Sequence, residues 1–349
     1  MGSLVLLLGL LLVSFIVTSI MIVPFINMLY RLKFQRANQI TTDAFGKLTP
    51  IFDTFHKTKA GVPVGGGLLV IIVVSLLFAI VLPLMRIYGV DITSLHQQAE
   101  AEINILFFSF LSFGIVGLYD DIKKFFQFDK EKIFGLKMKH KLILQIILAL
   151  IISAMLYFQL EISFVYIPYL GNQPLELGWM YIPFATFVIV AFANAVNITD
   201  GLDGLAAGSL MISLFGLWFL SGSILDVPLS IFIAIWIGSL VSFLYFNVFP
   251  ARMFMGDVGA LSFGATLAVV GLLLGKIPAL LVIGFIFVAE VLSSLIQLLS
   301  KKYRKKKVFP AAPIHLSLQK YGWEEPKIVQ RAWLLQIMLT LFGVWLALL

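Results

Sequence analysis

Ten long apolar runs alternate with short polar loops along this chain, near residues 3–29, 64–88, 103–119, 139–159, 180–198, 204–222, 228–248, 258–275, 278–299 and 328–348. Each is close to the roughly 20 residues a helix needs to cross a bilayer. The pattern predicts an all-α polytopic membrane protein of about ten transmembrane helices. Residues 161–177 alternate weakly and carry a turn signal at Gly171-Asn172, which predicts a small β-hairpin. No internal repeat and no Pro-, Gly- or Ser-rich linker divides the chain, so 1–349 reads as a single domain.

Composition agrees with this pattern. The chain is 60% hydrophobic and only 12% charged, with a mean hydropathy of +1.03, well away from soluble domains. Cysteine is absent, which excludes disulfides, thiolate zinc sites and cysteine nucleophiles. No Lys or Arg precedes Arg31, so the first run lacks a signal-peptide n-region and reads as a retained membrane helix. Leu6 stands where a myristoylation signal needs Ser or Thr.

The net charge of +7 and pI near 9.4 could suggest nucleic acid. However, all of the 25 Lys and Arg except Arg86 and Lys276 fall in alternate loops, at 30–63, 120–141, 249–257 and 300–331. That bias makes this face cytoplasmic and places both termini and the hairpin outside. Topology explains the basic excess, and no nucleic-acid partner is expected.

On the same face lie the polar groups that stand out in so apolar a chain. Asp120-Asp121 closes the third run, where adjacent negative charges oppose the helix dipole. Lys123 and Lys124 follow and could simply neutralise them. Asn194 and Asn197, three apart and facing one way, precede Thr199-Asp200-Gly201-Leu202-Asp203-Gly204. One Asp here could cap the next helix, but one cap does not use four polar side chains. Arg252, Phe254, Met255, Gly256 and Asp257 put a cation, a flat ring and a carboxylate in one short loop. Asp257 could also cap the eighth run. Five carboxylates at one membrane face suit a divalent cation and a phosphorylated substrate. Lys59 opens a glycine-rich stretch, Lys59 to Gly67, that could cradle phosphate or make a close helix contact. Gln297 and Glu290 lie within the ninth run. His315 follows the basic segment Lys301–Lys307, which could attract anionic lipids or gather an anionic substrate.

These segments, in this order, resemble the polyprenyl-phosphate N-acetylhexosamine-1-phosphate transferases, and within them the phospho-N-acetylmuramoyl-pentapeptide transferases. The matches run from His56 to Pro63 through Asp120–Lys124, Asn194–Gly204, Phe254–Asp257, Glu290, Ser293 and Gln297. They end with Pro313-Ile314-His315 and with Gly322-Trp323 and Glu325-Pro326-Lys327. The resemblance implies a Mg²⁺-dependent attack of polyprenyl phosphate on the β-phosphorus of a UDP-linked amino-sugar donor. This releases UMP and forms lipid I for peptidoglycan at the bacterial cytoplasmic membrane. It implies catalytic roles for Asp120, Asp121, Lys124, Asp203, Asp257 and His315, with Asp257 on the metal. It implies substrate contacts for Lys59, Asn194, Asn197, Asp200, Asn247, Phe254 and Gln297. A homodimer is left open, and the surrounding partners are membrane lipids.

The chain departs from that family where three consecutive His are usual: here the run is His315-Leu316-Ser317. Val62, Val64 and Gly65 also replace the usual Thr, Thr and Met. The acidic groups are intact, so these changes bear on the donor more than on the reaction class. The competing readings are a related transferase using UDP-N-acetylglucosamine and, from another class, a membrane transporter using Glu290.

Overall fold

The computed structural model describes residues 2–36, 59–89, 92–96, 98–126, 136, 138–168 and 174–349. The expected helices form: α1 (Gly2–Arg31), α2 (Gly66–Ile87), α3 (Ala99–Phe126), α4 (Met138–Gln159), α5 (Tyr181–Thr199), α6 (Leu205–Ser223), α7 (Val227–Asn247) and α8 (Gly256–Leu273). They are followed by α9 (Ile277–Ile283), α10 (Phe285–Tyr303), the short α11 (Ile314–Lys320) and α12 (Glu325–Leu348). Among the described residues nine helices are long and apolar enough to cross a membrane. The chain is a multi-pass membrane protein.

Two sequence expectations need correction. The ninth run is not one straight span: α9 and α10 meet at Gly284 with a bend of 82°. The third run does not stop at Asp120-Asp121, because α3 continues to Phe126. Lys124 lies 3.0 Å from Asp120 and 3.9 Å from Asp121 at i+4 and i+3. Those cations suit the negative end of the helix and let it run on. The predicted hairpin is present, with β1 (Phe164–Val165) antiparallel to β2 (Leu175–Glu176). Its Gly171-Asn172 turn lies outside the described residues.

α7 and α8 are nearly wholly buried and the other helices wrap around them. α1, α4 and α12 turn long apolar faces outward, as helices against lipid do. An aromatic cluster fills the centre, where Phe110 contacts Phe232, Trp236 and Phe263 at centroid distances of 5.3, 5.2 and 5.7 Å. Lipid offers no hydrophobic drive between helices, so small residues and buried hydroxyls supply close contact. Ser14 Oγ donates to the Ile235 carbonyl at 2.7 Å, and Thr18 donates to Ser239 at 2.9 Å, fixing α1 on α7. Gly67 meets Gly259 so closely that a Cβ on either would overlap its neighbour, which seats α2 against α8.

Candidate active site

Alternate helices run in opposite directions, so the C-terminal ends of α3, α5 and α7 gather with the N-terminal ends of α4, α6, α8 and α12. The β-hairpin lies at the other end. The gathered end holds a cleft of about 250 Å³ lined by Arg36, Val64, Asp121, Lys124, Asn197, Asp200, Gly201, Leu202, Asp203, Asn247, Phe254, Gly256 and Asp257. Helices separated by long stretches of chain thus bring the acidic segments together.

Close packing makes the first carboxylate group possible. Gly117 lies one turn before Asp121, and a Cβ there would overlap the Asp257 carbonyl. Its absence lets α3 press against the first turn of α8. Asp121, only 3% exposed, then accepts the Val258 N–H at 3.0 Å. It is therefore Asp121, from another helix, that occupies the capping place Asp257 could have taken. Asp257 is turned into the cleft instead, where it accepts from Lys124 at 2.8 Å, from Asn197 at 3.0 Å and from Lys141. Lys124 and Lys141 also reach Asp120, at 3.0 and 3.1 Å, and the Leu136 N–H donates to Asp120 at 2.6 Å. Two ammonium groups thus lie between Asp120 and Asp257.

The second group surrounds the turn Asp200–Gly204. Neither Asp caps α6, which removes the capping alternative for this pair. Gly204 holds the N-cap position at a left-handed φ of 79°, a backbone only glycine adopts freely. Asp203 accepts from Lys59 at 2.6 Å and from the Ala251 N–H at 2.9 Å. Glu325 at the start of α12 accepts from Lys59 at 2.5 Å and from the Asp203 N–H at 2.6 Å. Asn247 accepts the Gly204 N–H at 3.2 Å and donates to the Met253 carbonyl at 2.9 Å. Asp200 lines the cleft beside them. Burial, with Asp257 adding, pushes its carboxyl up to about 7 against the pull of Arg36 and Lys59.

Phe254 forms the flat wall, with Arg36 and Lys59 at 5.6 and 5.9 Å from its ring centroid. Its backbone is knitted in: Phe254 N–H donates to the Pro63 carbonyl at 2.8 Å, and its carbonyl accepts from Gly65 and Gly66 at 3.1 and 2.9 Å. The glycine-rich stretch is thus a backbone support for the aromatic wall.

His315 is not a solvated loop residue. It is 1% exposed, on α11, with Nδ1 3.1 Å from Glu290 and its N–H donating to Glu290 at 3.2 Å. Its Nε2 faces Gly201, whose hypothetical Cβ would stand 2.5 Å away. Lys59 and Asn247, expected as substrate contacts, are engaged within the protein, and so are Asn194 and Gln297. Asn194 donates to Gln145 at 2.6 Å and to the Val190 carbonyl at 2.8 Å. Gln297 holds the 308–309 loop by accepting from Val308 and Phe309 at 2.9 and 3.0 Å and donating to the Phe309 carbonyl at 2.8 Å. The cleft in turn uses Lys141, Arg36 and Glu325, to which the sequence reading gave no site role. The first two are hidden among topological basic residues, and Glu325-Pro326 reads as an ordinary helix start.

Six carboxylates (Asp120, Asp121, Asp200, Asp203, Asp257 and Glu325) face four cations (Arg36, Lys59, Lys124 and Lys141), a formal excess of two negative charges. Among the described residues no three His, Asp or Glu side chains form a ready-made metal cage. The donors are nevertheless all hard oxygens, with one divalent charge uncompensated. Mg²⁺ typically uses one or two carboxylates, waters and substrate phosphates rather than a protein cage, and the residues present fit that mode.

Such a cleft, at one end of a helix bundle, defines a membrane-embedded transferase of phosphorylated substrates, and the comparisons agree. Residues 103–275 match the model of glycosyl transferase family 4. A phospho-N-acetylmuramoyl-pentapeptide-transferase of Desulfotalea psychrophila is 38% identical over 311 residues, covering 83% of this chain and 80% of that protein. Proteins of the same name from Aquifex aeolicus and Clostridium perfringens are 35% and 38% identical, covering 95% and 91% of this chain and 90% and 89% of theirs. The chain belongs to the phospho-N-acetylmuramoyl-pentapeptide-transferase family.

Proposed function

We propose that this protein transfers phospho-N-acetylmuramoyl-pentapeptide from its UDP-linked donor to a polyprenyl phosphate, giving lipid I and UMP, at the cytoplasmic face of a bacterial plasma membrane. The observation that carries the reading is the convergence of Asp120, Asp121, Asp200 and Asp257 with Lys124 and Lys141 at one end of the bundle. The Lys and Arg asymmetry favours a cytoplasmic cleft. The acceptor phosphate is anionic at neutral pH, so it can attack without a strong base. Its oxygen forms the new bond to the donor's β-phosphorus while the bond to UMP breaks.

Phosphoryl transfer depends mainly on alignment and charge cancellation. Asp257 would hold Mg²⁺, and the ion would supply charge neutralisation at the reacting phosphates. Lys124 and Lys141 hold the Asp120 and Asp257 carboxylates a fixed distance apart and offer positive charge to incoming phosphates. Asp121 locks α3 onto α8, so the two carboxylate-bearing helices keep register. Phe254 and Asp200 form a flat wall with a hydrogen-bonding edge suited to a nucleoside, and Asn247 braces the turn behind it. His315, with Nδ1 on Glu290, presents Nε2 at Gly201 on the opposite side. The decisive experiment is UMP release by the purified protein from UDP-N-acetylmuramoyl-pentapeptide and polyprenyl phosphate with Mg²⁺, with the lipid product identified. Turnover of UDP-N-acetylglucosamine instead would favour the related transferase. Gradient-driven uptake without UMP release would favour the transporter.

A further inference from the structure

Lys59, Lys124 and Lys141 each contact at least two carboxylates. Arg36 differs. It lines the cleft beside the acidic turn, yet among the described residues its guanidinium makes no ion pair or hydrogen bond. A guanidinium carries five N–H donors and never gives up its charge, so one at a cleft whose donors meet no described protein acceptor can turn them to an anionic ligand.

Its position is also set. Arg36 N–H donates to the Val62 carbonyl at 3.0 Å, and its carbonyl accepts from Gly61 at 2.8 Å. The Phe254 ring, 5.6 Å from the guanidinium carbon, limits where the side chain swings. A planar cation beside an aromatic wall, its hydrogen-bonding edge unspent, matches a phosphate attached to a flat heterocycle. The geometry points to Arg36 as a binding residue for the phosphates of a uridine nucleotide, beside the Phe254 ring. This deepens the proposed function and rests on its UDP-linked donor. The alternative is that Arg36 only offsets the charge of Asp200, Asp203 and Glu325.

Calorimetric binding of uridine, UMP and UDP to the full chain in detergent with Mg²⁺ separates the two. In Arg36→Gln, UDP affinity should fall about ten- to a hundred-fold, the loss of a charge-assisted paired contact. Uridine affinity should stay within about twofold of the parent. Arg36→Lys, which keeps the charge but not the fork, should lie between the two and guards against misfolding of the Gln variant. Unchanged UDP affinity, or equal loss of uridine and UDP, would overturn the role given to Arg36. Failure of the unmodified protein to bind any uridine nucleotide would overturn the UDP-linked donor itself, and this inference with it.

Discussion

Replacing Asp257 by Asn tests the centre of the site with almost no change of volume. The carboxylate accepts from Lys124, Lys141 and Asn197 at once. An amide in its place keeps one acceptor oxygen and turns its NH₂ toward groups that are themselves donors. The formal charge excess falls from two to one, so a divalent cation held there would lose a ligand and part of its electrostatic attraction. Loss of a metal ligand forfeits several kcal/mol of transition-state stabilisation. At about 1.4 kcal/mol per factor of ten, a loss of about 4 kcal/mol predicts a rate lower by about a thousand-fold. The fold should survive, because Lys124 and Lys141 keep Asp120 at 3.0 and 3.1 Å and Asp121 still caps α8. The assay is UMP release across a Mg²⁺ titration, with thermal melting of the same preparation. Near-parental turnover throughout that titration would refute the assignment of Asp257. So would a lost rate accompanied by a collapsed melting temperature, which would make the residue structural.

Gly117→Ala inserts a methyl against the Asp257 carbonyl; melting should drop by an amount equivalent to about 1–3 kcal/mol, and UMP release should fall as α3 moves off α8. An alanine variant with parental melting and rate would show that the helix contact does not set the site. His315→Ala should lower turnover by roughly ten- to a thousand-fold, the range for one positioned polar group, and an unaltered rate and donor affinity would leave His315 a packing residue. Asp200 sets a pH dependence: its carboxyl, raised from 3.8 to about 7, holds a proton in the folded metal-free state that the unfolded chain has already released. Metal-free stability should therefore fall as pH rises from about 4 to about 7, and Mg²⁺ binding should release protons and weaken below about pH 7. Melting with and without Mg²⁺ across that range checks both signs, and an Asp200→Asn protein with the same pH profile as the parent would contradict the assignment.

The membrane helices were readable because lipid leaves a polypeptide few choices: an apolar run of sufficient length must be helical to satisfy its backbone. The hairpin was readable from alternation, since β1 and β2 pair where the weak period-2 pattern lies. The break at Gly284 was hidden for the same reason that the spans were visible. Ile277–Ile283 and Phe285–Tyr303 are apolar on both sides of the bend, so hydropathy carries no mark of an 82° turn. The capping alternative fails for a related reason. Asp before a helix is a local signal, but Asp203 is claimed by Lys59 and Ala251, residues remote in sequence. A free Gly204 then takes over the cap at no cost in side-chain partners.

Charge pairing explains what remained hidden in the site. Adjacency in the sequence suggested Lys124 as a neutralising partner for the Asp120-Asp121 pair, and the continued helix places it on the face of Asp120 at i+4. Adjacency cannot reveal Lys141, which meets Asp257 across 116 residues and lies among the basic residues that the sequence reading used for topology. The same loop charge serves two ends, topology and site, and only packing separates them. The His315-Leu316-Ser317 run shows how far that separation goes. Leu316 is buried, and Ser317 Oγ donates to the Ala311 carbonyl and accepts the Ala311 N–H at 3.4 Å. Both positions are thus spent on closing the turn before α11. Of the three side chains, His315 alone meets the site, with Nδ1 on Glu290 and Nε2 at Gly201. Restoring His at 316 and 317 would have to displace that packing before it reached the cleft. Its effect should therefore appear first in melting and then in donor affinity, with the chemical step least changed.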